Sequence, residues 1–390
     1  TYTNPVLGGD YPDPSIMREG NDYYLTNSSF DYNPGLIVFH STDLVHWEPI
    51  SYALQTYLGS VWAPDISKVD GKYCIYFTVS GVGNFLVQAD SPYGPWSEPV
   101  NVFRQGIDPC IAVAEDGTKW LFVSGGTRVQ LSEDGRSTVG RPQHVYDGWQ
   151  YPSDWVTEGF CLEGPKIKKI GDWWYYISAE GGTAGPPTSH MVVVARSKSA
   201  LGPWENSPYN PMVHTYSADE EWWSKGHGTI FDDAEGNWYI VYHSYRNSYH
   251  TLGRTSIIES VIWTEDGWPM LADPGLDFEE DVEGSVQFAN LRDFHNPIMW
   301  AKWEPGFDNA ELWTITAVDR AYEVTAEFEL AEGAKAGLYL FYNEEAYIGV
   351  QEAASHIYMR IRNDKNVVTT EKSLDGEKWT AVESGVDVSN

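Results

Sequence analysis

Five short stretches of this chain carry a residue able to do chemistry just before an isoleucine: Asp13 in YPDPSI, Trp62 with Asp65 in WAPDI, Asp108 in IDPCI, Glu163 in LEGPKI and His227 in KGHGTI. The isoleucines Ile16, Ile66, Ile111, Ile167 and Ile230 follow one another at 50, 45, 56 and 63 residues. If the stretches converge, the carboxylates of Asp13, Asp108 and Glu163 meet an imidazole and an indole in one funnel. Like charges in one cleft repel, so such a cluster points to a bound cation or to a reaction. Calcium would require several oxygen ligands at bonding distance. Glycoside hydrolysis would require a carboxylic acid to protonate the leaving oxygen and a carboxylate to activate water on the opposite face. Aromatic residues at the same mouth favour a sugar, whose C–H-rich faces pack on flat rings.

The elements that would bring these groups together are repeated strands. After each stretch come a turn and an aromatic-rich strand: DYYLTNS, KYCIYFTV, KWLFVSG, DWWYYIS and NWYIVYHS. Three of the units continue into a strand and hairpin with a tryptophan, FHSTDLVHW, VQADSPYGPW and VARSKSALGPW. Five imperfect copies of one multi-stranded unit predict a five-bladed β-propeller. In that architecture the first strand of each blade lines the channel, and the strand starts share one mouth. Pro12 and Pro14 fix φ and remove amide donors, so Asp13 sits at a stiff strand entry; its plain alternative is a turn-forming aspartate. Asp65 reads as structural, with Trp62 at the aligned position.

Composition agrees with an all-β chain. The 390 residues are 42% hydrophobic and 15% aromatic, with 18 Trp, 36 Gly and 22 Pro, and no long segment has a 3.6-residue period. The balance of 25 basic against 56 acidic residues, net −31, argues against binding nucleic acid or an anionic membrane. No apolar run approaches the ~20 residues that span a bilayer. Cys74, Cys110 and Cys161 lie far apart and read as buried free thiols. The chain begins at Thr1, which permits a removed leader, and a secreted or periplasmic location is the expectation. The acidic run LDFEEDVEG marks a change of composition. The expected organisation is a propeller over 1–275, an acidic linker over 276–285 and a small β-sandwich over 286–390, whose segments YEVTAEFEL, AGLYLFYN and HIYMRIRN alternate as sandwich strands do.

The ordered set NPVLGGDYPDPSI, NSSFDYNPG, WAPDI, IDPCI, LEGPKI, AEGGT and TLGRTSIIESVIWTEDGW resembles glycoside hydrolase family 43 from about Asn4 to Leu271. Members of that family are five-bladed propellers that remove xylose or arabinofuranose from plant polysaccharides. The resemblance implies Asp13 as general base, Asp108 as the aspartate that orients and tunes the acid, and Glu163 as general acid. It implies Phe30 and Trp62 as aromatics shaping the sugar pocket, with Thr183, His227 and Arg254 lining it. His227 could instead face a calcium ion in the channel through water; otherwise no cofactor is implied. Thr255 departs from the family pattern, which leaves the neighbour that orients Arg254 unassigned. The implied activity is an exo-acting, inverting β-xylosidase or α-L-arabinofuranosidase, with a xylan or arabinoxylan chain as partner. The forms NPVL, SSFDYNPG and TLGR resemble the xylosidase branch more than the endo-arabinanase branch, which would need an open groove. Two rivals are a non-catalytic carbohydrate-binding propeller, against which Glu163 speaks, and a sialidase-like propeller, whose S-x-D-x-G-x-x-W turns are not reproduced.

Overall fold

The computed structural model describes residues 4–272, 297–307 and 309–389, and the expected linker at 276–285 lies outside them. Among the described residues the regular structure is β-strand with short 3-10 turns. None of it is a helix long and apolar enough to cross a membrane. The chain divides into two compact units, Thr1–Asn247 with Arg254–Thr316, and Ser248–Gly253 with Ala317–Asn390.

In the first unit five antiparallel sheets follow one another along the chain, and within each the strand order follows the sequence. Their first strands are Ser15–Glu19, Val61–Val69, Cys110–Val113, Glu163–Ile170 and Trp222–Asp232. Each pairs with the aromatic strand after it, so that Ile16 faces Leu25, Ile66 faces Ile75, Ile111 faces Leu121, Ile167 faces Tyr176 and Ile230 faces Ile240. The second strands are apolar on both sides because each sheet is covered on both faces. In Lys72–Val79 only the lysine is exposed.

One face of that strand, with Ile75 and Phe77, packs with the first sheet; the other, with Cys74 and Tyr76, packs with the third. Sheets three and four share Phe122 and Tyr176, and sheets four and five share Ile177 and Ile240. The fifth sheet then meets the first, where Tyr23 and Phe231 approach edge to face at 6.2 Å. There Arg18 pairs with Asp232 at 2.9 Å, and Thr229 Oγ1 donates to the Pro14 carbonyl at 3.0 Å. The N-terminal segment joins the fifth sheet too, as the Asn4 side chain brackets Ile258 with hydrogen bonds of 2.8 and 3.0 Å.

Asp65 laces the first strands together, in keeping with its structural reading. It accepts from Ser15 Oγ at 3.3 Å, from the Ile111 amide at 3.3 Å and from the Lys166 ammonium at 3.0 Å. The Asp65–Lys166 pair is almost wholly enclosed. Removing one member would leave a buried charge uncompensated, at a cost of ~3–5 kcal/mol.

Residues 301–314, inside the segment that sequence reading groups with the sandwich, form strands Ala301–Phe307 and Ala310–Thr314 of the first unit. They extend the short strand Tyr32–Asn33, with Trp303 opposite Tyr32 and their rings 5.1 Å apart. The second unit has a four-stranded sheet of Ala321–Glu329, His356–Asp364, Val367–Ser373 and Thr380–Asp387, and a hairpin of Ala336–Asn343 with Ala346–Glu352. Its core is small, built on Val350, Ile357 and Met359 with Phe328 and Leu338 against them.

Candidate active site

The residue three places before four of the five repeat isoleucines has an unusual backbone; Ala63, before Ile66, does not share it. Asp13, Asp108, Gly164 and His227 have φ of 55°, 56°, 59° and 58°, all left-handed. Such a conformation costs a non-glycine residue ~1–3 kcal/mol and persists only where the surroundings over-determine it. Side chains hold three of these amides. The Asp13 N–H donates to His243 Nδ1 at 3.0 Å, the Asp108 N–H to Thr78 Oγ1 at 2.9 Å, and the Gly164 N–H to Asp108 Oδ2 at 3.0 Å. Glu163 therefore stands one residue off the aligned position, which Gly164 takes. A side chain at Gly164 would begin only 3.0 Å from the His227 ring. The glycine lets the fourth strand start pass His227 while Glu163 follows Asp108 into the cluster.

Asp13 is the most elaborately held group. Its Oδ2 accepts from Ser28 Oγ at 2.5 Å, and its Oδ1 lies 3.3 Å from Arg254 Nη1, 3.3 Å from His227 Nδ1 and 3.2 Å from His243 Nδ1. Burial alone would push this carboxyl up, but the Arg254 guanidinium holds it well below the usual range. Burial also lowers His227 to about 3 and His243 to about 4, so both rings are neutral near pH 7 and Arg254 is the lasting counter-charge.

The other two acids go the opposite way. Burial first, then the Asp13 charge, raises Asp108 to about 7. Burial, then Asp108 and Asp13, pushes Glu163 well above the usual carboxyl range against a weaker opposing pull from Arg254. The cluster thus contains one carboxylate held ionised and one carboxylic acid held protonated, the division that acid–base chemistry on two faces of a substrate requires.

Arg254 bridges to the remaining groups. Its Nη1 lies 3.4 Å from Thr183 Oγ1, its guanidinium sits 5.9 Å from the Phe30 ring centre, and its own amide donates to Asp10 Oδ1 at 3.1 Å. Asp10 thus holds the Arg254 backbone while Asp13 faces its guanidinium, and both stand in the N-terminal stretch rather than at position 255. Thr183 and Phe30 thus gather around Arg254. Trp62 is half-buried and donates its indole N–H to Ser60 Oγ at 3.1 Å. His227 is only 2% exposed and meets Asp13 and Gly164 from behind.

His227 was the candidate contact for calcium. Its Nε2 is buried without a hydrogen-bond partner. Among the described residues, however, no group of three or more His, Cys, Asp or Glu side chains is arranged to hold a metal ion. A single imidazole nitrogen does not fit a cation that takes about six to eight oxygens.

His243, Ser28 and Asp10 were not singled out from the sequence, although a signal for two of them exists. Three residues beyond the partner of each repeat isoleucine stand Ser28, Thr78, Ser124, Ala179 and His243. Ser28 and His243 bind Asp13, Thr78 binds the Asp108 amide, and Ser124 Oγ accepts the Ile107 amide at 2.9 Å. Cys74 and Cys110 are buried, whereas Cys161, two residues before Glu163, is exposed, which corrects the expectation for that thiol.

Residues 2–269 match the model of the glycosyl hydrolases family 43. A non-reducing-end α-L-arabinofuranosidase of Bacteroides ovatus is 36% identical over 315 residues, covering 75% of this chain and 56% of that protein. A xylan 1,3-β-xylosidase of a Vibrio species is 32% identical over 319 residues, covering 70% of this chain and 57% of that protein. The chain thus spans little more than half the length of these relatives. The crystal structure of a xylan β-1,4-xylosidase of Bacillus halodurans superimposes with a TM-score of 0.80 at 25% identity, covering 100% of this chain and 92% of that one.

Proposed function

Because this chain belongs to glycosyl hydrolase family 43, we propose that it is an exo-acting, inverting glycosidase that releases single xylose or L-arabinofuranose residues from xylan-derived or arabinose-decorated chains. The reading is carried by one buried cluster in which Arg254 stands 3.3 Å from the Asp13 carboxylate, holding it ionised, while Asp108 fixes the strand start of Glu163, whose acid form burial and neighbouring charge favour. Asp13, ionised beside Arg254, is the base that takes a proton from the attacking water. Glu163, kept protonated by burial and by the Asp108 charge, donates to the leaving oxygen. Asp108 contacts no reacting atom in this scheme; it accepts the Gly164 amide and so fixes the strand start that carries Glu163. Phe30, Trp62, Thr183 and Arg254 form the sugar pocket, and His227 supports Asp13 from behind.

The same reading makes the five sheets the blades of a five-bladed propeller. It is supported by cores shared between consecutive sheets and by the return of the fifth sheet to the first. Residues 1–275 would form this catalytic domain, 276–285 an acidic linker and 286–390 an accessory β-sandwich, with the 301–314 hairpin reaching back to the loop that carries Phe30. Glu304 N–H donates to the Asp31 carbonyl there at 3.1 Å.

The relatives' names include both pentoses, and the pocket residues do not choose between them. Incubation with an aryl β-xyloside and an aryl α-L-arabinofuranoside, with initial rates compared, tests the reading. Hydrolysis of either supports an exo-glycosidase. Cleavage of neither, with release of internal fragments from arabinan, would replace it by an endo-acting one; binding of xylan or arabinan without hydrolysis would replace it by a carbohydrate-binding propeller.

A further inference from the structure

We propose that His243 is a positioning residue that orients the Thr183 hydroxyl as a hydrogen-bond donor to a ring-hydroxyl oxygen of the pentose. A donor that cannot reverse sets the polarity of the ring. A backbone amide only donates, so the 3.0 Å contact of the Asp13 N–H with His243 Nδ1 makes that nitrogen an acceptor. A neutral imidazole carries one proton, which then resides on Nε2. His243 Nε2 lies 3.1 Å from Thr183 Oγ1 and donates to it. Arg254, a donor at every nitrogen, presents Nη1 to the same oxygen at 3.4 Å.

A hydroxyl has two acceptor lone pairs and one proton. Both Thr183 lone pairs are taken by His243 and Arg254, so the proton must go to a third partner. The structure gives Thr183 Oγ1 these two protein partners, and the residue is only half-buried. Arg254 joins Thr183 to the Asp13 carboxylate, so the outward O–H stands at the wall of the pocket that holds the base. The ring that enforces this polarity is rigidly set. His243 is fully buried and stacks on His190 with ring centres 5.1 Å apart and planes 8° apart. A Cβ at Gly226 would run into the opposing His190 ring, which shows how closely the backbone backs that stack. One imidazole therefore couples the left-handed amide of the base to the polarity of a sugar-binding hydroxyl.

This inference rests on the glycosidase reading above, and its test is separate from that reading. The wild-type rate on the preferred aryl glycoside tests the reading; ratios between variants on that substrate test the inference. Thr183→Val should lower kcat/KM roughly three- to tenfold, the size of one neutral hydrogen bond, mainly through KM. Thr183→Ser should restore it. His243→Asn keeps an acceptor where Nδ1 stood and loses the Nε2 donor, so it should show a similar loss. The double variant should then be no worse than Thr183→Val alone, because the same interaction is removed once. Multiplicative losses in the double variant would mean that His243 does not act through Thr183 and would overturn the proposal. Should His243→Asn not fold, a deoxy-sugar series decides. Wild-type enzyme should penalise removal of one ring hydroxyl by the same factor, and Thr183→Val should be indifferent to it. Equal discrimination by both enzymes would overturn the donor role.

Discussion

Asp108→Asn tests the electrostatic core of the site, because it removes one charge while leaving an acceptor for the Gly164 amide. Asp108 and Glu163 both have raised pKa values, and the Asp108 charge is the largest influence on Glu163 after burial. A like charge in such a cluster shifts a carboxyl by about one to three pH units, or ~1.4–4 kcal/mol. In the variant the Glu163 pKa should fall by about that much. The basic limb of the kcat/KM profile, set by loss of the Glu163 proton, should move to lower pH by at least about one unit. The same substitution should change stability with a definite sign. Asp108 rises from an ordinary ~3.9 to about 7 in the folded chain, so folding favours its protonated form. The wild type therefore keeps its full stability below the ordinary carboxyl range and loses it as pH rises towards 7, by at most about 4 kcal/mol for three units. Asparagine does not titrate. The Tm of Asp108→Asn should match the wild type near pH 4 and exceed it near pH 8. A basic limb that stays in place or moves upward, together with equal Tm values at pH 8, would refute the assignment of Asp108 as the charge that keeps Glu163 protonated.

Other expectations follow from the same cluster. Glu163→Ala should slow hydrolysis of xylo-oligosaccharides by something like ~10²–10⁴-fold and spare aryl glycosides with acidic phenols; equal losses on both would remove Glu163 as proton donor. Early proton NMR of the product should show the inverted anomer, with the Asp13 and Glu163 carboxyls about 6.5–9.5 Å apart in a substrate complex; a retained anomer would end the role of Asp13 as base. Arg254→Gln removes the lasting counter-charge of Asp13, so the acidic limb of the pH profile should move to higher pH; an unmoved limb would mean that another cation holds Asp13 ionised.

Much of the first unit was legible because its signal is periodic. Each repeat isoleucine sits opposite an apolar or aromatic residue of the next strand, and the stretches before those isoleucines carry Asp13, Asp108 and His227 at one equivalent place. Glu163 stands four places before its isoleucine where the others stand three, an offset that can be counted in LEGPKI; its cause, the close approach of the His227 ring to Gly164, is not in the sequence. His243 was missed for a different reason. A histidine in an aromatic strand looks like core, and its meaning appears only when strand five is packed beside strand one. The hairpin at 301–314 was grouped with the accessory segment because alternation reveals a strand but not its partner. Its pairing with Tyr32–Asn33 joins residues far apart in the chain.

The left-handed strand starts explain how these acids come to share one cluster. A regular extended entry would place alternate side chains on opposite faces of the strand. A left-handed residue breaks that alternation, and the pairing of the fourth and fifth sheets shifts register at these positions, between Glu163 and Lys166 and between Gly226 and Thr229. The turned peptide also aims its N–H at a neighbouring side chain instead of at the ladder. Those side chains belong each time to the preceding repeat, Thr78 for Asp108, Asp108 for Gly164 and His243 for Asp13. The strain at one acid is thus held by the sheet before it, and the geometry of the pair depends on how consecutive sheets pack. A substitution in the shared cores that moved one sheet against the next would therefore alter the relation of base to acid while touching neither, and the loss would appear in kcat before it appeared in substrate binding.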